Sequence, residues 1–236
     1  MEFEGAEPSE IIKASEVMIG FKDLSISAET LGWAATAATI GLFALGYFQL
    51  KAVTDYNKIT IFPYVLQLLN CIGWTLYGLK LGDPAVVVTN GIGLVLAEYY
   101  LWILWGKKPS SHFFISLSFV AVSMFCFWAF FEPLGPAIST DYLGKAGVFF
   151  SFLLFSSPFL ELFTICRSKS SASLNLPFVA LASCTSSLWL LYGLLLHHHN
   201  IAFPNFLAFC ICLAQWLLFF VFRSPPPPSH LSLPLR

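Results

Sequence analysis

Hydrophobic residues gather along this chain into seven long runs, near 31–50, 61–81, 84–105, 112–131, 143–166, 176–196 and 201–222, with polar residues collected between them. Each run holds about 20 residues, the length a helix needs to cross the ~30 Å apolar core of a bilayer. The pattern predicts seven membrane-spanning helices. Runs two and three are parted only by a tight turn at Gly82-Asp83-Pro84. Within the second run, LLNCIGWTLYGL at 68–79, Asn70 and Trp74 stand one helical turn apart and share a face. The sixth run repeats the relation in SCTSSLWLLYGL at 183–194, with Thr185 and Trp189. A carboxamide in so apolar a helix calls for something polar opposite it.

Only 11% of the residues are charged and 57% are hydrophobic. A soluble domain averages about 25% charged residues, so this chain cannot cover a water-facing surface. It belongs to the all-α membrane proteins, with the lipid bilayer as its first partner and no nucleic-acid partner expected. Lysine and arginine set the orientation. Lys51, Lys58, Lys107, Lys108, Arg167, Lys169, Arg223 and Arg236 fall on one side, against Lys13, Lys22, Lys80 and Lys145 on the other. The richer side is read as cytosolic, which puts the N-terminus outside or in a lumen and the C-terminus in the cytosol. Residues 1–30 are then an acidic extracellular or lumenal tail with no signal-peptide pattern. Residues 223–236 form a cytosolic proline-rich tail. The six cysteines lie in or at the ends of the runs, so free thiols are expected, with no disulfide framework, no metal site and no cofactor.

The chain also repeats itself. At an offset of 115 residues Gly32 falls on Gly147, Trp74 on Trp189, Tyr77 on Tyr192, Gly78 on Gly193 and Asn90 on Asn205. Runs one to three (31–105) thus recur as runs five to seven (143–222), and run four (112–131) is left as a linker. Three crossings, a single linker helix and three more crossings give both units the same orientation. The architecture is 3+1+3, with a site expected between the repeats. Rises of 1.5 Å per residue place Trp74, Asn90, Trp189 and Asn205 at one depth, roughly 20 Å from the cytosolic face.

These residues resemble the SWEET (MtN3/saliva) sugar transporters, over about residues 31–223. The likeness rests on FPY at 62–64, LLNCIGWTLYGL at 68–79, TNGIGLVLAE at 89–98, SSPF at 156–159, RSKS at 167–170, WLLYGL at 189–194 and PNFLAF at 204–209. That family is itself a standing example of parallel repeats. The resemblance implies facilitative, uniport sugar transport by alternating access, with the sugar held by Trp74, Asn90, Trp189 and Asn205. By match, Asn70 and Thr185 line the same pocket, as do Ser151 and Leu154 and, at the same offset in the first half, Thr36 and Thr39. Gate prolines are implied at Pro63, Pro158 and Pro177. The first-span proline slot is Phe43, and Trp33 stands where the family has an asparagine. A plasma-membrane location is preferred over the vacuole or another endomembrane, and the assembly state, homo-oligomer included, stays open.

The residue types suit that chemistry. An aromatic face covers the C–H patch of a sugar ring while carboxamides match its hydroxyls as donor or acceptor. Neutral hydrogen bonds, worth about 0.5–1.5 kcal/mol net, also let the solute go. Prolines free backbone groups and permit bending. Duller readings compete: asparagines serve as interhelical glue, and Trp33, Trp102 and Trp105 suit an interface belt. His197-His198-His199 reads as a solvated outer loop. Glu98 and Glu161 lie inside the runs but are displaced from the Trp–Asn layer, which argues against proton coupling. The nearest rival is a proton-coupled PQ-loop-type carrier of amino acids or other small organic solutes. A receptor leaves the duplication unexplained, and an enzyme would need a nucleophile or metal cluster that the runs lack.

Overall fold

The computed structural model describes residues 8–56, 59–107, 133 and 135–222, with side chains from residue 28 in the first helix and from 138 in the fourth. The expected linker at 112–131 and the tail at 223–236 lie outside the described residues. Six helices are present among those described: α1 (Pro8–Lys51), α2 (Phe62–Leu81), α3 (Pro84–Lys107), α4 (Pro136–Ser168), α5 (Leu176–Leu195) and α6 (His199–Val221). Prolines open five of these chains of hydrogen bonds, at positions 8, 63, 84, 136 and 177, where a missing N–H loses no helical bond. Helix α1 begins well before its apolar run, because Pro8 and Glu10 make a good first turn and no further proline follows within it. The stretch expected as a separate tail up to residue 30 is therefore largely helical.

Among the described residues, five helical segments are long and apolar enough to span a membrane: Ala28–Lys51, Pro84–Lys107, Ile138–Ser168, Leu176–Leu195 and His199–Val221. Helix α2 is the one that falls short in hydropathy, and its surroundings explain why. It buries Val65, Leu66, Leu68, Leu69, Cys71, Gly73, Trp74, Tyr77 and Gly78 against protein. A helix shielded from lipid can carry Gln67 and Asn70 on an inner face.

The helices pack as two matching triplets. In the first, α3 lies against α1 and α2; in the second, α6 lies against α4 and α5; between them, α1 meets α5 and α2 meets α4. Duplicated glycines set the closeness of these contacts. A Cβ on Gly78 would come within 2.9 Å of Val86 Cγ1, and one on Gly193 within 2.6 Å of the Ala202 backbone nitrogen. Between the triplets, a Cβ on Gly32 would lie 2.7 Å from the Tyr192 ring and one on Gly147 2.8 Å from the Trp74 indole. A buried cluster takes a residue or two from every helix: Ala35, Trp74, Tyr77, Ala85, Val86, Leu143, Trp189, Tyr192 and Ile201. It binds the triplets at the end where the α2–α3 and α5–α6 turns lie.

The α2–α3 turn is held by its own chemistry. Gly82 takes a left-handed conformation with φ 72°, which ends α2. Asp83 Oδ1 then accepts the Val86 N–H at 3.1 Å, capping α3. Its other oxygen, Oδ2, accepts the Tyr192 hydroxyl of the opposite triplet at 2.7 Å. His198, in the matching α5–α6 turn, is held below the ordinary histidine range by burial, with Asp83 partly offsetting this.

Three outcomes follow for the folded protein. Gly193→Ala should lower stability by about 1–3 kcal/mol through overpacking against backbone. Gly46→Ala, where an added Cβ meets nothing within 4 Å, should be neutral or gain up to about 1 kcal/mol; thermal melts of the purified proteins compare them. Because the fold disfavours protonated His198, the unfolded chain takes up its proton first as pH falls below about 6.5. Stability therefore drops on acidification from there through the lower folded-state value, and His198→Gln should flatten that part of a melting-temperature profile.

Candidate functional site

Between the two triplets lies a cavity of about 200 Å³. The buried six-helix cluster and the Tyr192–Asp83 bond close it on the side of the α2–α3 turn. It extends the other way, toward the N-terminal end of α2, where Gln67, Phe43 and Phe155 stand in its wall. No lining residue is charged.

Ten of the positions singled out in the sequence border this space. Trp74 and Trp189 form its closed end, only 8% and 7% exposed. Asn90 and Asn205 come in from α3 and α6. Each donates its carboxamide nitrogen back along its own helix, Asn90 to Val86 O at 2.9 Å and Asn205 to Ile201 O at 2.7 Å. That fixes the amide orientation and leaves each Oδ1 as an acceptor turned from the helix. Asn70, Thr185, Thr39, Ser151, Leu154 and Phe43 complete the set.

Each tryptophan is pinned twice. Within its own helix it meets a tyrosine edge to face: Trp74–Tyr77 at 5.5 Å and 84°, Trp189–Tyr192 at 5.4 Å and 87°. Across the triplet boundary its indole N–H finds a hydroxyl. Trp189 donates to Thr39 Oγ1 at 2.9 Å, and Trp74 donates to Ser151 Oγ at 3.2 Å. The acceptors are not mirror images. The position matching Thr39 is Leu154, which accepts nothing, so Trp74 uses Ser151 one turn away. The match of Ser151 is Thr36, whose hydroxyl is already taken: it donates to Gly32 O at 2.9 Å and accepts from Thr89 at 2.7 Å. Thr36 is thus buried in the wall behind the cavity and does not line it.

The three prolines expected at the gate stand apart from the cavity lining. Pro63 and Pro177 are exposed at the starts of α2 and α5, and half-buried Pro158 interrupts α4. In the apolar part of α1, residues 28–51, where no proline occurs, Phe43 O accepts the Tyr100 hydroxyl at 2.7 Å, which ties α1 to α3. The two acids inside the runs also stay out of the lining. Glu98 is exposed on α3, and Glu161 Oε2 accepts from Gln215, itself only 4% exposed.

Sequence reasoning missed several wall residues. Gln67 was visible as the start of a polar stripe running 67, 70, 74 along one face of α2. Pro204 and Thr89 occupy matching positions beside the two asparagines, but a proline and a threonine do not look alike as a repeat. Leu42, Phe155, Val86 and Ile201 carry no signal distinguishable from ordinary membrane-helix residues.

Known proteins share this arrangement. A family model described as "Sugar efflux transporter for intercellular exchange", MtN3_slv, matches residues 29–112 and 141–226. The chain is 30% identical over 216 residues to "Sugar transporter SWEET1" of Xenopus tropicalis, covering 86% of this chain and 97% of that protein. It is 28% identical over 207 residues to the Xenopus laevis protein of that name, covering 85% and 96%. To "Bidirectional sugar transporter SWEET3" of Arabidopsis thaliana it is 25% identical over 189 residues, covering 75% and 70%. A solved eukaryotic SWEET transporter superposes with a TM-score of 0.72 at 25% identity, covering 86% of this chain and 99% of that one. With a duplicated three-helix framework matched in both halves, the chain belongs to the SWEET (MtN3/saliva) family of sugar transporters.

Proposed function

We propose that this protein is a uniporter that moves a sugar across a membrane by alternating access between two pseudo-symmetric repeats in a 3+1+3 arrangement. One observation carries the proposal: Trp74, Trp189, Asn90 and Asn205, from four different helices and two repeats, border one uncharged cavity. The paired indoles supply apolar faces for C–H patches, and the two asparagine oxygens supply acceptors for ring hydroxyls. With the basic-residue orientation, the closed end of the cavity faces outward and the other end faces the cytosol. The Tyr192–Asp83 bond then serves as a latch on the outer side, and release of the solute is to the inside in this conformation. The plasma membrane is the proposed location.

Uniport follows from the site's neutrality. A proton-coupled carrier places a titratable group where solute and proton share it, and here the half-buried carboxylate, Glu161, is paired with Gln215 outside the cavity. That pair is the one feature favouring the rival reading, a proton-coupled carrier of amino acids or other small organic solutes. Hinge motion is assigned to Pro158, Pro63 and Pro177, with Phe43 filling the fourth slot as a stiff, hydrogen-bonded turn of α1.

The test is counterflow of radiolabelled sugars in proteoliposomes. Flux should be indifferent to an imposed pH gradient; gradient-dependent uptake of an amino acid would establish the rival. Trp74→Ala and Asn205→Ala should each abolish flux to background, at least about tenfold, equal to about 1.4 kcal/mol, while surface labelling shows normal delivery. Normal transport by both variants would place the site elsewhere. Phe43→Pro should retain more flux than Pro158→Phe, since Pro158 lies inside α4 and leaves it one backbone hydrogen bond short at the place where hinging is assigned.

A further inference from the structure

The cavity is two-fold symmetric at its tryptophans and asparagines but not beyond them. Along α2, Gln67, Asn70 and Trp74 fall at i, i+3 and i+7 and share one face, and all three border the cavity. Their counterparts on α5 are Ala182, Thr185 and Trp189. The α2 wall is therefore a polar ladder, whereas the α5 wall offers a single hydroxyl, Thr185 Oγ1, which is buried without a partner among the described residues. Facing the ladder's lower rungs are Phe43, Leu154 and Phe155.

Most of the ladder's upper groups are used within the protein. Trp74 donates to Ser151 Oγ, and Ser151 donates on to Asn70 Oδ1 at 2.9 Å. Gln67 is different. Among the described residues its Nε2 reaches only Cys71 Sγ, at 3.1 Å, a weak acceptor. Its carboxamide oxygen makes no hydrogen bond among the described residues, and the side chain is half-buried at the cavity wall. Seven residues of helix separate it from Trp74, about 10 Å along the axis. That span is longer than one six-membered ring, so a solute held at the Trp–Asn layer reaches Gln67 only if it carries a second ring or a comparable polar extension.

Building on the sugar-carrier reading above, we propose that Gln67 is a specificity-determining residue, a second polar contact for two-ring sugars. The ring at the tryptophans is read by Asn90 and Asn205. The second ring lies toward the N-terminal end of α2, its hydroxyls on the Gln67 carboxamide and its C–H face on Phe43 and Phe155. A single-ring sugar leaves Gln67 unused, so transport of the two classes depends differently on this one side chain.

Counterflow with purified protein, using radiolabelled glucose and sucrose in parallel, decides the matter with Gln67→Leu and Gln67→Asn. Gln67→Leu keeps the volume and removes the polar end; it should cut sucrose flux about 5- to 10-fold, the worth of one neutral hydrogen bond, and change glucose flux less than about 2-fold. Gln67→Asn should recover part of the sucrose flux, and melting temperatures should match wild type. Equal losses for both sugars, or no loss for sucrose, would overturn the assignment of Gln67 while leaving the sugar carrier standing. Wild-type protein that carries glucose alone would overturn it too. Wild-type protein that carries no sugar, yet moves an amino acid or another non-sugar solute, would sink the sugar-carrier reading and this proposal together.

Discussion

The structure depends on two indole N–H groups reaching across a boundary. Trp189 and Trp74 each leave their own three-helix unit to donate to a hydroxyl on the opposite unit, Thr39 and Ser151. In a medium without water, an indole donor left alone would be expensive, on the order of a few kcal/mol. Each unit therefore completes the other. The close approach is possible because glycines face the aromatic rings: Gly147 lies under Trp74 and Gly32 under Tyr192. A methyl group at either site would push its ring from the position in which the Trp74 N–H reaches Ser151 and the Tyr192 hydroxyl reaches Asp83.

From that interlock the cavity follows. Two large rings braced against tyrosines, one of them also against Gly147, make the end wall, and the cavity lies beyond it. Polar groups in that room are of the kind that a neutral, hydroxyl-rich solute can use. The asparagines are held by their own backbones before any solute arrives, so little ordering is left to do on binding. The fold thus turns a packing solution between two copies of one ancient-looking unit into a pre-shaped, uncharged chamber.

Much of this was legible in the sequence, for reasons that can be named. The helices follow from run length and from Pro63, Pro84 and Pro177, which mark starts in any solvent. The chamber residues followed because Trp74, Asn90, Trp189 and Asn205 recur at one offset, and repetition separates them from the apolar background. What stayed hidden depends on partners that no offset encodes. Thr36 matched Ser151 in position but is consumed by Gly32 and Thr89, and Trp189 turned instead to Thr39. The repeat specifies where a hydroxyl is wanted, and the local chain decides which rung supplies it. Helix α1 reached back to Pro8 because apolar runs report burial in lipid and say nothing about helicity beyond it.

Asp83 illustrates how one side chain can serve permanence and change together. Its two oxygens are divided: Oδ1 belongs to the start of α3 and Oδ2 to Tyr192 of the other unit. Were the two units to separate at that face, the aspartate would lose a phenol and keep an amide. The carboxylate would never be stranded, and the phenol would meet incoming water. Parting the faces then forfeits a single neutral-donor bond where it could have bared an ion, which keeps the door light on its hinges.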